Sequence, residues 1–145
     1  MPDPTDSIAR LAAPLALLIG RINRRMRPAG RALGHSHLSA LASVLLSGPI
    51  RLGDLAIREF VSPPAMTKTV SGLESRGLVV RRPDPSDGRS VLLEITPAGE
   101  DLVLRARSER AAILAELVAE LDPRDRAALT EALPALERLA GIAGS

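Results

Sequence analysis

Cysteine is absent from this sequence of 145 residues, and aromatic residues are nearly so. The lack of cysteine excludes a disulfide framework, a thiolate nucleophile, a thiol redox sensor and a cysteine-based zinc site. Phe60 is the single aromatic residue, which excludes single-strand nucleic-acid binders that stack bases on aromatic rings. Because 46% of the residues are hydrophobic, disorder is excluded too, and a core of Leu, Ala, Val and Ile favours helices.

A long apolar run is also missing. The longest, Leu11–Gly20, is about half of a membrane span. Asp3 and Asp6 precede it and the basic stretch 21–25 follows, which is the wrong pattern for a signal peptide. We therefore expect no membrane association and a cytoplasmic protein.

Lysine is scarce as well: Lys68 is the single lysine of the sequence, which has 18 arginines. The net charge is only +2, but residues 1–96 carry 13 bases and 8 acids, whereas residues 97–145 carry 6 bases and 9 acids. This asymmetry indicates a polyanionic partner for the first part of the chain. Arginine binds phosphate bidentately, although a compositional bias of the coding sequence also explains the excess.

The apolar periodicity predicts a series of helices. The first follows Ile8–Met26, with Asp6 or Ser7 as its cap and Pro14 as a kink or a delayed start. The second ends at Gly48-Pro49, and the third is short, Leu52–Glu59, with Leu55 and Ala56 inward. The inward face of the second helix is predicted to consist of Leu38, Leu41, Ala42, Leu45 and Leu46.

A fourth helix is predicted from Ser62, as N-cap, to Arg76, with Gly77 as its stop. Its inner residues are Met66, Val70 and Leu73, and its outer residues are Pro64, Thr67, Lys68, Ser71 and Ser75. The period then changes to two strands around the turn-rich segment 83–88, which predicts a hairpin. Thr96 caps a long helix to about Leu121, and Asp122-Pro123 begins a last helix that Pro134 is expected to kink.

This order of elements is that of a winged helix-turn-helix protein, and the sequence resembles the MarR family of bacterial transcriptional regulators. The motifs that carry the resemblance lie between Leu52 and Gly99: Gly53-Asp54-Leu55-Ala56, Ser62-Pro63-Pro64-Ala65-Met66-Thr67-Lys68, Leu73-Glu74-x-Arg76-Gly77-Leu78-Val79, Asp84-x-x-Asp87-Gly88-Arg89 and Leu93-x-Ile95-Thr96-x-x-Gly99. The resemblance implies a mainly helical fold with a small β-hairpin wing, in which residues 31–99 form the DNA-binding domain. Residues 1–30 and 100–145 are then dimerisation helices within one overall domain.

The resemblance further implies a homodimeric, ligand-responsive repressor on a pseudo-palindromic operator in double-stranded DNA. In such proteins the second helix of the motif enters the major groove and the wing lies along the backbone or minor groove. Asp87 is expected to hold the Arg89 guanidinium so that Arg89 reaches the minor groove. The expected DNA-binding residues are Ser62, Pro64, Thr67, Lys68, Ser71, Arg81, Arg82, Asp87 and Arg89.

Each assignment has an alternative. The exposed face of the fourth helix could be an ordinary solvated face, Arg81 and Arg82 could be edge-strand charges that prevent aggregation, and Asp87-Gly88 could be a plain hairpin turn. The whole chain could be a winged-helix module that binds protein and lacks DNA affinity.

His35 and His37 form a His-x-His pair near the start of the second helix. Residues i and i+2 of a helix point to different faces, so a shared metal ion is not expected. His35 is instead a candidate to bind an effector, for which a small aromatic or apolar acid is predicted. No nucleophile elbow, phosphate-binding glycine loop or His-Glu-x-x-His motif occurs, so neither an enzyme nor a cofactor is expected.

Overall fold

The structure is a computed structural model that describes residues 4–27 and 33–141. Within them the chain forms six helices and three short strands. In chain order these are α1 (Pro4–Arg25), α2 (His35–Ser47), β1 (Ile50–Arg51), α3 (Leu52–Arg58), α4 (Pro63–Ser75), β2 (Val79–Asp84), β3 (Asp87–Ile95), α5 (Pro97–Ala119) and α6 (Pro123–Leu139). The prediction of a mainly helical fold with a hairpin wing is confirmed.

Two compact units divide these elements. One comprises the described residues within Met1–Arg27 and Arg110–Ser145, and the other those within Pro28–Glu109. The second unit extends ten residues past the predicted boundary at Gly99. The reason is that the first turns of α5 pack on the winged core through Gly99 and Val103, both of which are buried.

The core of the second unit is formed by α2, α3, α4 and the sheet. Leu41, Leu55 and Leu73 are fully buried, and Met66 is 2% exposed, so its expected core position is confirmed. On α2 the prediction is partly wrong, because Leu46 is exposed whereas Ala40 and Val44 are buried. The face that packs inward is therefore rotated slightly from the one that periodicity indicated.

The boundaries of α4 follow local chemistry. Ser62 is the N-cap, and its hydroxyl accepts a hydrogen bond from the Ala65 N–H at 3.4 Å. Pro63 occupies the first helical position, where its missing N–H costs nothing. Gly77 has φ +69°, the left-handed conformation that ends helices. These features fix where the exposed face of α4 begins and ends.

The sheet has one strand more than expected. Its order is β1-β3-β2, all antiparallel, with Ile50 opposite Leu93 and Arg51 opposite Leu92. The hairpin strands are also longer than predicted, since Pro83 and Asp84 belong to β2 and Asp87 begins β3. Only Pro85 and Ser86 lie between the strands, so the wing is a long ribbon with a tight tip.

Besides Ser62, two more of the predicted helix caps are confirmed, and one is wrong. Thr96 Oγ1 accepts from the Gly99 N–H at 3.1 Å at the start of α5, and the Asp122 carboxylate accepts from the Asp125 N–H at 2.8 Å at the start of α6. Helix α1 begins at Pro4, so Asp6 lies in its first turn and pairs with Arg10 at 2.6 Å instead of capping it. Pro14 and Pro134 both lie inside helices, and the expected kinks stay predictions. The predicted stops of the first helix, Pro28 and Gly30, lie outside the described residues.

The first unit consists of α1, the second part of α5 and α6. Arg110 of α5 donates to the Asn23 side-chain oxygen of α1 at 2.9 Å, which ties these two helices together. None of the described residues of this unit is fully buried. Large apolar side chains remain exposed on α1 and α6: Ile8, Leu11, Leu17, Leu18, Ile19, Ile22, Leu129, Leu133, Leu136 and Leu139. In the described part of the chain, no helix is both long and apolar enough to span a bilayer.

Candidate nucleic-acid interface

Helix α4 presents an exposed polar face opposite its buried one. The predicted outer residues Pro64, Thr67, Lys68 and Ser71 are all exposed, and Ser62 lies exposed at the N-terminal end of the same helix. The structure therefore brings together the five α4 residues that the sequence singled out. No acid precedes Glu74 in α4, so the first three turns carry no negative side chain.

The polar groups on this face differ in their freedom to contact a ligand. The Thr67 hydroxyl donates to the Pro63 carbonyl oxygen at 2.9 Å, so its proton is used inside the helix and it retains acceptor capacity only. The Lys68 ammonium forms no ion pair with any residue that the structure describes. Lys68 is therefore the free cation of this face.

The two arginines of β2 lie on opposite faces of the sheet and are both paired. Arg81 donates from Nε to Glu74 at 3.0 Å, and Arg82 donates from Nε to Glu94 at 2.7 Å. The Arg82 side chain is 63% exposed, against 35% for Arg81. Arg82 is thus the more accessible of the two, and a phosphate would have to compete with a carboxylate at either.

Asp87 closes the turn at the tip of the wing through hydrogen bonds other than the one that the sequence predicted. Its carboxylate accepts from the Ser90 hydroxyl at 2.7 Å and from the backbone N–H of Arg89 at 3.1 Å. These hydrogen bonds, that of Ser90 above all, lower the pKa of Asp87. The expected pairing with the Arg89 guanidinium is not formed, since Asp87 is occupied in closing the turn.

Arg89 makes no ion pair within the described ranges, yet it is not isolated. It lines a shallow cavity of about 250 Å³ on the wing together with Arg81 and Arg82. Three arginines thus line one cavity, a composition suited to a phosphate or another polyanion, although the guanidinium groups of Arg81 and Arg82 are each paired with a carboxylate. The remaining lining residues are Pro83, Gly88, Ser90 and Val91.

Sequence reasoning missed a second acid of the wing, Asp84, and its partner Arg51. Asp84 is 6% exposed and accepts two hydrogen bonds from Arg51 and two from Ser86. The bonds from Ser86 and then that from Arg51 lower the pKa of Asp84 to about 2, and the Asp84 carboxylate raises the pKa of Arg51. The two-residue strand that carries Arg51 is too short to be found by alternation, so this pair left no signal in the sequence.

A larger groove of about 760 Å³ lies entirely within the second unit. Both histidines line it, and the His37 ring lies against Gly72, where an added Cβ would be 2.7 Å from Nε2. The carboxylate of Glu59 on its wall accepts from the Ser39 hydroxyl at 2.6 Å and also from the Ser43 hydroxyl. The other lining residues are Ser36, Val61, Ala65, Met66, Lys68 and Thr69. Among the residues that the structure describes, no group of three or more His, Cys, Asp or Glu side chains is placed to hold a metal ion.

A helix-turn-helix joined to a three-stranded sheet, of which the β2–β3 hairpin forms the wing, defines the winged helix-turn-helix class. The family model for the MarR family matches residues 33–91. An HTH-type transcriptional regulator of Mycobacterium tuberculosis is 42% identical over 129 residues, which cover 88% of this chain and 90% of that protein. The chain therefore belongs to the MarR family.

Solved structures show the same fold. A MarR family protein from Bacillus stearothermophilus superimposes with a TM-score of 0.79 at 19% identity, covering 97% of this chain and 99% of that one. Wild-type MarR from Escherichia coli gives a TM-score of 0.76 at 21% identity, covering 87% and 96%. The helical and winged architecture is thus shared over nearly the whole chain.

Proposed function

We propose that this protein is a transcriptional regulator that binds double-stranded DNA, with α4 in the major groove and the wing over the adjacent backbone and minor groove. The observation that carries the proposal is the presence of two surfaces on one compact unit. One is the exposed face of α4, which has no acid before Glu74 and bears the unpaired Lys68. The other is the three-arginine cavity of the wing.

Different residues are proposed to do different work on DNA. Lys68, Ser71 and Thr67 face base edges or the phosphates of the major groove, with Thr67 as an acceptor only. Ser62 and Pro64 begin α4, where the Ser62 hydroxyl can donate to a phosphate and the positive end of the helix dipole favours an anion. Arg82 holds a phosphate, Arg81 does so only in exchange for its contact with Glu74, and Arg89 enters the minor groove from the tip that Asp87 closes.

The test starts from genome-wide mapping of bound sites, which supplies an operator. Fluorescence anisotropy on that duplex and on a scrambled duplex, each over a range of salt concentrations, then measures affinity and specificity. We expect tighter binding to the mapped site and a steep loss of affinity with salt. Absence of binding to any duplex at low salt would favour the alternative, a winged-helix module for protein partners.

We further propose that the protein acts as a homodimer on a pseudo-palindromic site. The first unit supports this, because its three helices leave large apolar side chains exposed and bury none of its described residues fully. A surface of that kind fits a second copy of the same helices. Light scattering should give twice the chain mass at micromolar concentration, and deletion of residues 1–30 should give monomers or aggregates.

The finer role is that of a repressor released by a small aromatic or apolar acid. The groove that His35 and His37 line supports a ligand, since Val61, Ala65 and Met66 among its lining residues suit a ring and Lys68 suits a carboxylate. Benzoate is a suitable probe: it should shift the NMR signals of His35 and weaken operator binding. If millimolar benzoate neither shifts the NMR signals of His35 nor weakens operator binding, this class of effector is excluded and the regulator acts without a ligand.

A further inference from the structure

Asp84 is the only buried charged side chain among the residues that the structure describes. Both of its oxygens are occupied, and from two different directions. Oδ2 accepts from Arg51 Nε at 2.9 Å and Nη2 at 2.6 Å, whereas Oδ1 accepts from the Ser86 backbone N–H at 2.9 Å and hydroxyl at 2.7 Å. One carboxylate therefore joins the tip of the wing to a residue outside the wing.

The Arg51–Asp84 pair spans the sheet from one edge to the other. Arg51 lies on β1 and Asp84 on β2, and β3 runs between these two strands. Arg51 is also the N-cap residue of α3, the first helix of the helix-turn-helix. The ion pair therefore connects the wing directly to the helices that present α4.

The wing needs such a connection because most of it has only two strands. β1 pairs with β3 only at Leu92 and Leu93. Residues 84–91 of the hairpin therefore extend beyond the end of β1. An isolated two-stranded hairpin is marginally stable in water. The strand register is also irregular between Pro83 and Asp84, a place where the ribbon can bend and twist.

We propose that Arg51 and Asp84 form an anchor that sets the direction of the wing and so positions Arg89 for contact with DNA; the proposal rests on the proposed function. No carboxylate of a described residue pairs with the Arg89 guanidinium. Its direction therefore comes from the hairpin backbone, which Asp84 fixes through Ser86. Arg51 and Asp84 are positioning residues and need no contact with DNA. A merely stabilising ion pair would instead affect the whole winged unit equally.

The anchor itself is tested without DNA by amide hydrogen exchange. Asp84→Asn keeps the size of the side chain and removes its charge. We expect the amides of residues 86–91 to exchange at least about tenfold faster, while those of α2 and α4 keep their rates. The matched control is Asp101→Asn, which removes the same charge from an exposed position on α5. Equal exchange in wild type and Asp84→Asn, or faster exchange throughout the winged unit, would overturn the anchor.

The positioning role is tested by a double-mutant cycle on a mapped operator. Asp84→Asn should weaken binding about tenfold, but less than about twofold when Arg89→Ala is already present, because the anchor acts through Arg89. Equal losses in both backgrounds would overturn the role. If the wild-type protein binds no duplex at all, the proposed function fails and the DNA role of the anchor with it, while the exchange data still decide whether the wing is held.

Arg51 supplies a second route to the same test if Asp84→Asn does not fold. Its side chain is 46% exposed, so Arg51→Gln leaves no cavity in the core. We expect this variant to loosen residues 86–91 and to lower affinity through Arg89 as Asp84→Asn does. Arg51→Lys keeps the charge and one donor, and should recover part of both effects; an Arg51→Lys protein as impaired as Arg51→Gln would contradict the ion pair.

Discussion

Arg81 donates to Glu74, with 3.0 Å between Nε and Oε2, and this contact joins the wing to the C-terminal end of α4. Glu74 is the only acid of α4. The contact therefore neutralises the one negative side chain of the proposed recognition helix. It also occupies an arginine that would otherwise be free to hold a phosphate.

Replacement of Glu74 by glutamine should tighten DNA binding. The pair is partly exposed, so its loss costs about 0–1 kcal/mol of stability. The freed Arg81 gains a phosphate, and the salt dependence should steepen by about one unit for each subunit contact. Anisotropy on operator and scrambled duplexes measures this, with Glu100→Gln on α5 as a control of equal charge. Weaker binding by Glu74→Gln would mean that the pair serves to hold α4 against the wing.

Lys68→Ala separates base reading from phosphate binding. If the ammonium reads a base, affinity for the operator should fall by about 1–3 kcal/mol while binding to scrambled DNA changes little. If it contacts phosphate, both should weaken together and the salt slope should drop by about one unit for each subunit contact. Ser71→Ala and Thr67→Val should have smaller effects that depend on the base pair. Unchanged operator affinity in Lys68→Ala would remove this residue from the interface.

Gly99 of α5 packs tightly against Leu78 and Ile95. A Cβ there would lie 2.2 Å from the Leu78 carbonyl oxygen and 2.8 Å from an Ile95 side-chain carbon. Gly99→Ala should therefore lower the free energy of unfolding by about 1–3 kcal/mol through overpacking. Gly53→Ala is the matched control, because open space surrounds Gly53 on α3, and it should raise stability by about 0.4–1 kcal/mol. Urea unfolding of both variants checks the opposite signs.

Acid should selectively remove the contribution of Asp84. Its pKa falls from 3.8 to about 2 on folding, so the folded state favours the carboxylate. The stability from this group is complete above about pH 4 and is lost as the pH falls toward about 2. The difference in unfolding free energy between wild type and Asp84→Asn should therefore shrink over this interval. A difference that stays constant from pH 6 to pH 2.5 would contradict the pKa of this carboxyl.

The sequence predicted the elements whose signals are local. Ser62, Thr96 and Asp122 cap their helices as expected, and Met66, Val70 and Leu73 form the buried face of α4. Such features depend on residues three or four positions apart. Composition and spacing therefore predicted the helices, the hairpin and the exposed face of α4.

The contacts that it missed join segments far apart in the chain. Arg51 meets Asp84 across 33 residues, and Ser39 meets Glu59 across 20. Neither pairing has a periodic signal, and a two-residue strand has too few positions for alternation to be recognised. A turn within segment 83–88 was correctly predicted, but Pro83, Asp84, Asp87 and Gly88 of that segment belong to the strands. Which carboxylate closes the turn and which is buried depends on Arg51 of β1, which the sequence did not reveal.

Variants at the tip of the wing distinguish an effect of net charge on DNA affinity from an effect of the turn's geometry. Arg89→Ala should leave folding and dimerisation intact and lower operator affinity about tenfold or more, since an arginine suits the narrow, negative minor groove of A·T-rich DNA. Asp87→Ala removes the acceptor of the Arg89 N–H and the Ser90 hydroxyl, so the turn loosens. It should lower affinity by less than Arg89→Ala, although it raises the net charge. Ser90→Ala is the control that removes one of these hydrogen bonds at constant charge, and it should give a smaller loss of the same sign. If Asp87→Ala tightens binding while Ser90→Ala has no effect, net charge and not the geometry of the turn governs how the wing meets DNA.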